Sequence, residues 1–318
     1  MSTSFETAAA NLKVEKSELL FLYESTFSMP NGDPFTGEQR LDEETKRILV
    51  SDVRIKRFVR DFFLDNDIDV YVRNDRSNVK EAKEGDAESG AAARFNTLEK
   101  AAAKGATAQE VLTGLIDVRL FGGISTKKGN AINLTGPVQF ALLNPSLNRV
   151  DLRMHQNTSV FASSTDKGRG AIGTTTVVPY ALCQIHGWIN PFTAQQTNLS
   201  EKDITALLEA MWHSINLANT RTKSNQNSVL LLQVVYGDAR RKLYGLDRKI
   251  KLVPGERDEN PLREEQIRNR DDYTLDFSAL FEAVEQAGDV VQEVRFYTED
   301  LAVRAQLEGQ AKFKALTL

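Results

Sequence analysis

The alternation of apolar strands with two strongly amphipathic helices is the feature that most limits how this 318-residue chain can fold. Residues 19–27 place apolar side chains at every second position, as a strand with one buried face does. Residues 51–63 follow with an apolar stripe at helical spacing, and residues 201–219 carry a longer stripe before the apolar run 229–236. Each helix therefore needs a sheet on which to bury its stripe.

The order of these elements predicts the fold class. Further strands are predicted over 68–72, 133–143, 180–189 and 290–297, and further helices over 108–120 and 277–286. Strand–helix–strand, followed by a second strand–helix–strand, favours an α+β sandwich of the ferredoxin-like or RNA-recognition-motif type with insertions. We expect one such domain over residues 1–318.

Two segments do not share the periodicity of the predicted core. Residues 75–105 are rich in Ala, Glu, Lys and Gly, which is typical of a partly helical surface insertion. Residues 146–179 are rich in Ser, Thr, Gly and basic side chains, and two extended halves flank a tip at 163–170. We predict that this second segment is a β-hairpin that protrudes from the core.

Composition and motifs favour a binding protein over an enzyme. Cys183 is the only cysteine, so no internal disulfide forms, and no apolar run approaches the ~20 residues of a membrane helix. Cys183 and His186 are spaced like half a zinc site, but no second pair completes it. The chain lacks serine-hydrolase, zinc-protease and phosphate-loop motifs. We therefore expect a cytoplasmic protein with no catalytic residue, no metal, no cofactor and no membrane partner.

Charge is segregated along the chain although the formal net charge is only -4. Residues 221–251 hold eight basic side chains and two acidic ones, whereas residues 256–300 hold fourteen acidic side chains and five arginines. Such segregation can create one basic and one acidic face. Both segments are equally compatible with ordinary solvated surface.

The predicted helix over 51–63 is basic on the arc opposite its apolar stripe. Arg54, Lys56, Arg57 and Arg60 occupy this arc, which suits contacts to successive phosphates. A second basic segment lies at 219–223. No RNA-recognition aromatic motif is present, so binding to a nucleic-acid backbone is favoured over base stacking on the sheet. The alternative is that the arc is the solvated face of a core helix.

Four sequence blocks resemble the CRISPR-associated backbone proteins of type I Cascade complexes. The first two are Asn31-Gly32-Asp33-Pro34, which is followed by Arg40-Leu41-Asp42, and the stretch Val50-Ser51-Asp52-Val53-Arg54-Ile55-Lys56-Arg57-Phe58-Val59-Arg60-Asp61. The others are Asp117-Val118-Arg119-Leu120-Phe121-Gly122 and Leu134-Thr135-Gly136-Pro137-Val138-Gln139-Phe140. They occur in the order of the family, with Ser28-Met29-Pro30 departing from its usual pattern before the first block. The resemblance favours subtype I-B, with subtypes I-C and I-D as alternatives.

The resemblance implies a hand-shaped, non-enzymatic RNA-binding subunit. Its palm would be a modified RNA-recognition fold, with 75–105 in a finger region and 146–179 as a thumb. Copies would stack head to tail along a guide crRNA and present its bases to target DNA in antiviral defence. Further implied partners are the large subunit and the guide-end-capping subunits of the complex.

The resemblance also implies roles for individual residues. The residues expected to contact the crRNA are Ser51, Arg54, Lys56, Arg57, Arg60, Arg119, Arg221 and Lys223. The candidates for an apolar wedge on the thumb that displaces a nucleotide are Met154, Val160, Phe161 and Ile172.

Two other functions remain open at the level of sequence. Type III relatives cut target RNA with an aspartate in the loop after the first strand, and Asp33 lies in such a loop. The chain would then be a metal-dependent ribonuclease subunit. It would alternatively be an unrelated α+β protein if the four blocks matched by chance.

Overall fold

The computed structural model describes residues 12–73, 91–127, 129–158 and 172–318. The longer strands are β1 (Ser17–Ser28), β8 (Arg153–Thr158), β9 (Ile172–Ile189), β10 (Gln226–Tyr236) and β15 (Val291–Tyr297). The shorter strands are β2 (Leu41–Asp42), β3 (Arg47–Ser51), β4 (Gly122–Ser125), β5 (Ile132–Thr135), β6 (Val138–Phe140), β7 (Leu143–Pro145), β11 (Lys251–Pro254), β12 (Glu256–Arg257), β13 (Asn260–Pro261), β14 (Tyr273–Asp276) and β16 (Phe313–Ala315). The helices are α1 (Asp52–Asp65), α2 (Ala91–Ala101), α3 (Ala108–Thr113), α4 (Ile116–Phe121), α5 (Pro191–Thr197), α6 (Glu201–Asn216), α7 (Ser278–Gln286) and α8 (Leu301–Leu307). Within the described ranges, no helix has both the length and the apolar character required to cross a membrane.

The main sheet is centred on β1. Its strand order is β16-β15-β10-β1-β9-β6, and β8 pairs with the outer part of β9. β1 is antiparallel to both β9 and β10, and β6 is antiparallel to β9. The chain therefore passes through β1, β6, β9 and β10 in sequence, while their spatial order is β10-β1-β9-β6. The predicted mixed architecture of strands and helices is confirmed, with β15 and β16 added beside β10.

Alternate residues of β1 enter two different cores. Leu19, Phe21 and Tyr23 face the layer that contains α1 and α6, whereas Leu20 and Leu22 face the layer that contains α7. All five are at most 1% exposed. Full burial of such a side chain contributes about 1.5–3 kcal/mol, so β1 anchors both layers.

Cys183 of β9 lies in the same layer as α1 and α6 and is fully buried, as the sequence predicts. Burial raises the pKa of its thiol to about 12. The thiol therefore acts as a small apolar side chain.

The prediction of a strand over 68–72 is wrong. Ile68 and Val72 are 39% and 49% exposed, and the segment runs as an irregular chain without a neighbouring strand. The carboxylate of Asp117 accepts the N–H groups of Tyr71 and Val72 at 2.7 and 3.1 Å. It also accepts Arg60 Nε at 2.8 Å and is fully buried. The Asp117 side chain thus accepts the backbone N–H groups that a neighbouring strand would have paired. Along the chain, β6 is therefore the next strand of the main sheet after β1.

The helix predicted over 108–120 is two helices. α3 ends at Thr113, and α4 begins at Ile116 after a break at Gly114. The guanidinium of Arg119 donates Nη1 to the carbonyls of Thr113 and Gly114 at 3.0 and 3.1 Å. These contacts satisfy the carbonyl end of α3, so the break costs little hydrogen bonding.

The strand predicted over 133–143 is divided into β5, β6 and β7. A Cβ on Gly136 would lie 2.1 Å from the Phe121 carbonyl carbon, so only glycine allows this close approach. Pro137 follows and lacks the N–H that a continuous strand would use. The chain therefore changes direction here and sends β6 to the edge of β9.

Both predicted insertions contain ordered structure. β8 and β9 pair from Arg153↔Val177 to Thr158↔Ile172, which is the hairpin expected within 146–179. Ser146 and Val150 at its predicted start are 2% and 3% exposed, so the chain packs on the core until β8 begins. Within 75–105, α2 buries Phe95 completely in a third cluster with Leu112. Residues 74–90 and the hairpin tip lie outside the described residues.

The buried carboxylate of Asp117 yields a stability prediction. We expect Asp117→Ala to lower the free energy of unfolding by about 3–5 kcal/mol, because it leaves a buried guanidinium and two backbone N–H groups without their acceptor. Urea unfolding followed by circular dichroism measures this change.

Asp61→Ala is the matched control, since Asp61 pairs with Arg57 at the surface with 41% of its side chain exposed. We expect that change to stay within about 1 kcal/mol. Equal effects of the two substitutions would mean that Asp117 does not hold the 68–72 segment in place.

Candidate nucleic-acid interface

The loop between β1 and β2 links three parts of the fold at one end of the main sheet. The buried side chain of Asn31 accepts the Ser51 N–H at its Oδ1 at 2.7 Å, and its own N–H donates to Gln39 Oε1 at 2.9 Å. The N–H of Gln39 donates to Thr176 Oγ1 on β9 at 2.7 Å. The loop thereby fixes the start of α1 relative to the root of the β8–β9 hairpin.

Ser51 is the N-cap residue of α1, as predicted. Its side chain makes no capping hydrogen bond. Asp52 lies in that first turn, where a carboxylate is favoured by the helix dipole.

Three of the four predicted phosphate-binding cations of α1 are paired with carboxylates. Lys56 Nζ lies 3.1 Å from Asp52 Oδ2. Arg57 Nε lies 2.8 Å from Asp61 Oδ1, and Arg60 Nε is bound to the buried Asp117. The folded chain thus neutralises most of the arc that the sequence presents as uniformly basic.

Three other cations lack a carboxylate at ion-pair distance: the charge of Arg54 acts on Lys223, and Arg221 lies in the same turn as Lys223. Arg54, Arg221 and Lys223 form no ion pair in the part of the chain that the structure describes. The Arg54 guanidinium lies 3.8 Å from the centroid of the Phe58 ring, and its Nε is buried without a hydrogen-bond partner. Arg221 is exposed. We call these three residues the unpaired cation cluster.

The pKa of Lys223 shows that its charge is destabilised in this arrangement. Burial, followed by the nearby positive charge of Arg54, lowers the pKa of its amine from 10.5 to about 8. The ammonium donates to the Met29 carbonyl at 2.5 Å, a neutral acceptor that does not compensate its charge. An anion at this position would relieve the repulsion between the two cations.

Arg119, which was predicted to contact RNA, lies at a helix junction. Its Nη2 and Nε donate to the two oxygens of Asp203 on α6 at 2.7 and 3.1 Å. Its Nη1 serves the end of α3, as described above. These contacts of the guanidinium are all within the fold, so the evident role of Arg119 is to join α3, α4 and α6.

Asp33 is used in a turn. Its Oδ1 accepts the Phe35 N–H at 2.8 Å, and its Oδ2 lies 2.8 Å from Arg40 Nη1. The hydrogen bond from Phe35, with smaller contributions from Thr36 and Arg40, lowers the pKa of the carboxyl group. Across the four described ranges, no three side chains of His, Cys, Asp or Glu are arranged to hold a metal ion.

The hairpin presents one of the predicted wedge residues. Met154 on β8 is 71% exposed, opposite Thr176 in the register with β9. Ile172 is the first residue of β9, and Val160 and Phe161 lie outside the described residues. The assignment of the wedge stays a prediction.

Phe35 is a candidate contact residue that the sequence interpretation missed. It follows Pro34 at the tip of the loop that holds Asp33, and its side chain is 97% exposed. A large aromatic residue inside the turn-forming stretch 31–37, which is rich in Gly, Pro and Asn, is the signal that would have indicated it.

Comparison with known proteins identifies the family. The profile of the CRISPR-associated protein Cas7 family matches residues 15–278. The chain therefore belongs to this family. A CRISPR-associated protein Cas7 from Haloferax volcanii is 27% identical over 299 residues, which cover 87% of this chain and 84% of that protein.

One solved structure supports the assignment of the fold. A chain of a CRISPR RNA-guided surveillance complex in a pre-nicking state has a TM-score of 0.53 at 15% identity, over 95% of this chain and 96% of that chain. A chain of another CRISPR RNA-guided surveillance complex has a TM-score of 0.47 at 14% identity and 90% coverage of both chains. The first comparison extends the shared mixed α/β fold over nearly the whole molecule.

The lowered pKa of Lys223 predicts a pH-dependent affinity for RNA. A bound phosphate favours the charged amine, so binding takes up a proton at pH values above about 8 and the affinity falls as the pH rises. The limiting decrease is about tenfold per pH unit. Fluorescence anisotropy with labelled RNA at constant ionic strength measures it.

Lys223→Arg is the control, because a guanidinium remains charged over this pH range. We expect that variant to bind with little pH dependence. An unchanged decrease in the Lys223→Arg variant would assign the titration to another group. For stability the sign is opposite: the unfolded chain binds more protons than the folded chain between pH of about 8 and 10.5, so the free energy of unfolding increases as the pH rises through that window.

Proposed function

We propose that this chain is a non-enzymatic backbone subunit of a type I CRISPR surveillance complex, of subtype I-B, that binds a guide crRNA by its phosphates. The observation that carries the proposal is the unpaired cation cluster, whose uncompensated charge lies where the loop after β1, α1 and β10 meet. Membership of the Cas7 family and the names of the structural relatives support the same ligand.

Phosphate contacts suit the task of such a subunit. A protein that is repeated along guides of any sequence must bind without sequence preference, and phosphates are common to all nucleotides. Arg54, Arg221 and Lys223 would make the principal contacts. Lys56, Arg57 and Arg60 would contribute only where a phosphate replaces their carboxylate partners, and the Ser51 hydroxyl and Phe35 would border the strand.

The hand-like interpretation is part of the proposal. The order β10-β1-β9-β6, with α1 and α6 in one layer, supports a palm of the RNA-recognition type within one domain over 1–318. The β8–β9 hairpin would act as the thumb and Met154 as its apolar wedge. The segment 75–105 would belong to the finger region.

The remaining partners follow from this assignment. Copies of the chain would stack head to tail along the guide, together with a large subunit and guide-end-capping subunits, in the cytoplasm. The exposed guide bases would pair with target DNA, so base pairing and not the protein would read the sequence in antiviral defence.

The ribonuclease alternative is less well supported. Asp33 is engaged by Arg40 and by two backbone N–H groups of its own turn. Magnesium-dependent cleavage of a guide-paired RNA that disappears in Asp33→Ala would require this alternative to be adopted.

The protein purified from its expression host offers a direct test. We expect large particles that contain RNA, with a high ratio of nucleic-acid to protein absorbance, because each copy contributes phosphate contacts to one strand. Ribonuclease treatment should reduce their size in light scattering. A nucleic-acid-free monomer that also ignores added RNA would contradict the proposal.

The salt dependence of binding tests the unpaired cation cluster. Combined substitution of Arg54, Arg221 and Lys223 by Gln should weaken binding equally for guides of unrelated sequence. It should also reduce the slope of log K against log salt by about 2, since each lost contact to a single strand removes about 0.7. Filter binding over a salt series measures both quantities.

The matched control replaces three exposed lysines with no ion pair in the described residues, Lys13, Lys104 and Lys202, by Gln. A third variant neutralises Lys56, Arg57 and Arg60 and should change the slope less than the cluster variant does. A loss restricted to particular guide sequences, or a slope unchanged in both variants, would count against phosphate binding.

A further inference from the structure

A second basic surface lies at the opposite end of β10 from the unpaired cation cluster. The segment that follows β10 borders a cleft of about 460 Å³, and an adjoining cleft of about 360 Å³ shares Tyr244 and Lys249 with it. The eleven residues of β10 span about 33 Å at 3.3 Å per residue. The two basic surfaces are therefore separate sites.

The joined clefts are uniformly basic. Their cationic lining residues are Arg240, Arg241, Lys242, Arg248, Lys249 and Lys251. In the described part of the chain, no carboxylate lines either cleft, and the wall formed by α7 and its end presents only neutral side chains, Ala283, Gln286 and Ala287 among them. Such a surface attracts a polyanion, because Arg241, Lys242 and Lys249 form no ion pair with any residue that the structure describes.

The segment that carries these cations is held firmly against the sheet. Leu246 and Ile250 are 0% and 2% exposed in the core beside α7. The N–H of Leu243 donates to the Tyr236 hydroxyl at 3.0 Å. The backbone is therefore ordered before any ligand arrives, which reduces the entropic cost of binding.

Gly245 allows the tight geometry beside the adjoining cleft. Its φ of +67° lies in the left-handed region, and a Cβ would lie 2.5 Å from Arg248 Nη2. The positive φ favours glycine at this position, and the absence of a Cβ lets the guanidinium of Arg248 lie directly against the turn.

Tyr244 provides an aromatic platform between the cations. Its side chain is 82% exposed, and Lys242 Nζ lies 6.0 Å from the centroid of its ring. Phosphate-binding cations around an exposed aromatic ring are the combination that binds single-stranded nucleic acid, where bases stack and phosphates are neutralised.

We propose that this cleft binds a single strand of nucleic acid, with one base stacked on Tyr244 and the flanking phosphates contacted by Arg241, Lys242 and Lys249. None of these three cations forms an ion pair in the ranges that the structure describes. The site is independent of the proposed guide-binding surface and does not rest on it. It gives the subunit a place for a second strand.

The competing occupant is an acidic surface of a second copy of this chain. The β12–β13 hairpin carries exposed Asp258 and Glu259 at its turn, and charge alone would allow it to enter the cleft. The exposed ring of Tyr244 favours nucleic acid, because a carboxylate-bearing turn offers no flat group to stack on it.

Anisotropy titrations with short labelled oligothymidylate test the proposal on ribonuclease-treated full-length protein. The titrations use both the unsubstituted protein and the variant in which Arg54, Arg221 and Lys223 are replaced by Gln. The affinity that remains in this variant is the affinity of the cleft. We expect Tyr244→Ala to weaken binding about tenfold and Tyr244→Phe to leave it unchanged. An abasic strand of equal length should be insensitive to both substitutions, because it has phosphates but no base.

The charge contribution is tested separately. Arg241→Gln with Lys242→Gln should lower the salt slope by about 1.4, whereas the control pair Lys104→Gln with Lys202→Gln should leave it unchanged. Retained oligothymidylate binding in both the Tyr244 and the cation variants would overturn the proposal. So would protein assemblies that dissociate in an Arg241→Glu, Lys242→Glu variant and form again when Asp258→Lys and Glu259→Lys are added, because this charge exchange would assign the cleft to a second copy.

Discussion

The burial of β1 between β9 and β10 is the constraint on which the rest of the structure depends. Both faces of β1 are covered, and its alternate side chains enter the two main hydrophobic layers. Because β9 and β10 are both antiparallel to β1, they run parallel to each other and need the α6 connection between them. This pairing places the hairpin extension of β9 and the two ends of β10, and with them every candidate site considered above.

The cations that are paired with carboxylates differ from the unpaired ones in what they can do: the paired cations stabilise the fold, and the unpaired ones are candidates for binding a ligand. Arg60 and Arg119 are bound to the buried carboxylates of Asp117 and Asp203, where their removal would leave uncompensated charge inside the protein. Arg54 and Lys223 lie close together without such partners, at a cost that the lowered pKa of Lys223 records. Such a cluster is a candidate ligand site, because a bound anion would supply the missing negative charge.

The sequence interpretation succeeded where a pattern is long and local. β1, α1, α6, β10 and β15 lie where their periodicity predicts them, since each buries one regular face against the sheet. It was wrong at 68–72, because a β-like alternation of four or five residues says nothing about whether a strand partner exists. Asp117, some distance along the chain, takes the hydrogen bonds instead. It was also wrong about an unbroken helix over 108–120, because the contacts of Arg119 that support the break at Gly114 are tertiary.

The sequence by itself determined the mixed strand–helix architecture, the single buried thiol, the hairpin and the resemblance that the family profile confirms, since all of these are written in local spacing and residue type. Only the tertiary structure decided which cations are available to a ligand. A sequence gives the number and position of charged side chains but not their partners. The electrostatic field at a surface depends on which carboxylates the fold brings within about 4 Å of each cation. The basic arc of α1 was thereby largely neutralised, and Arg54, Arg221 and Lys223, from two separate segments, became one cluster.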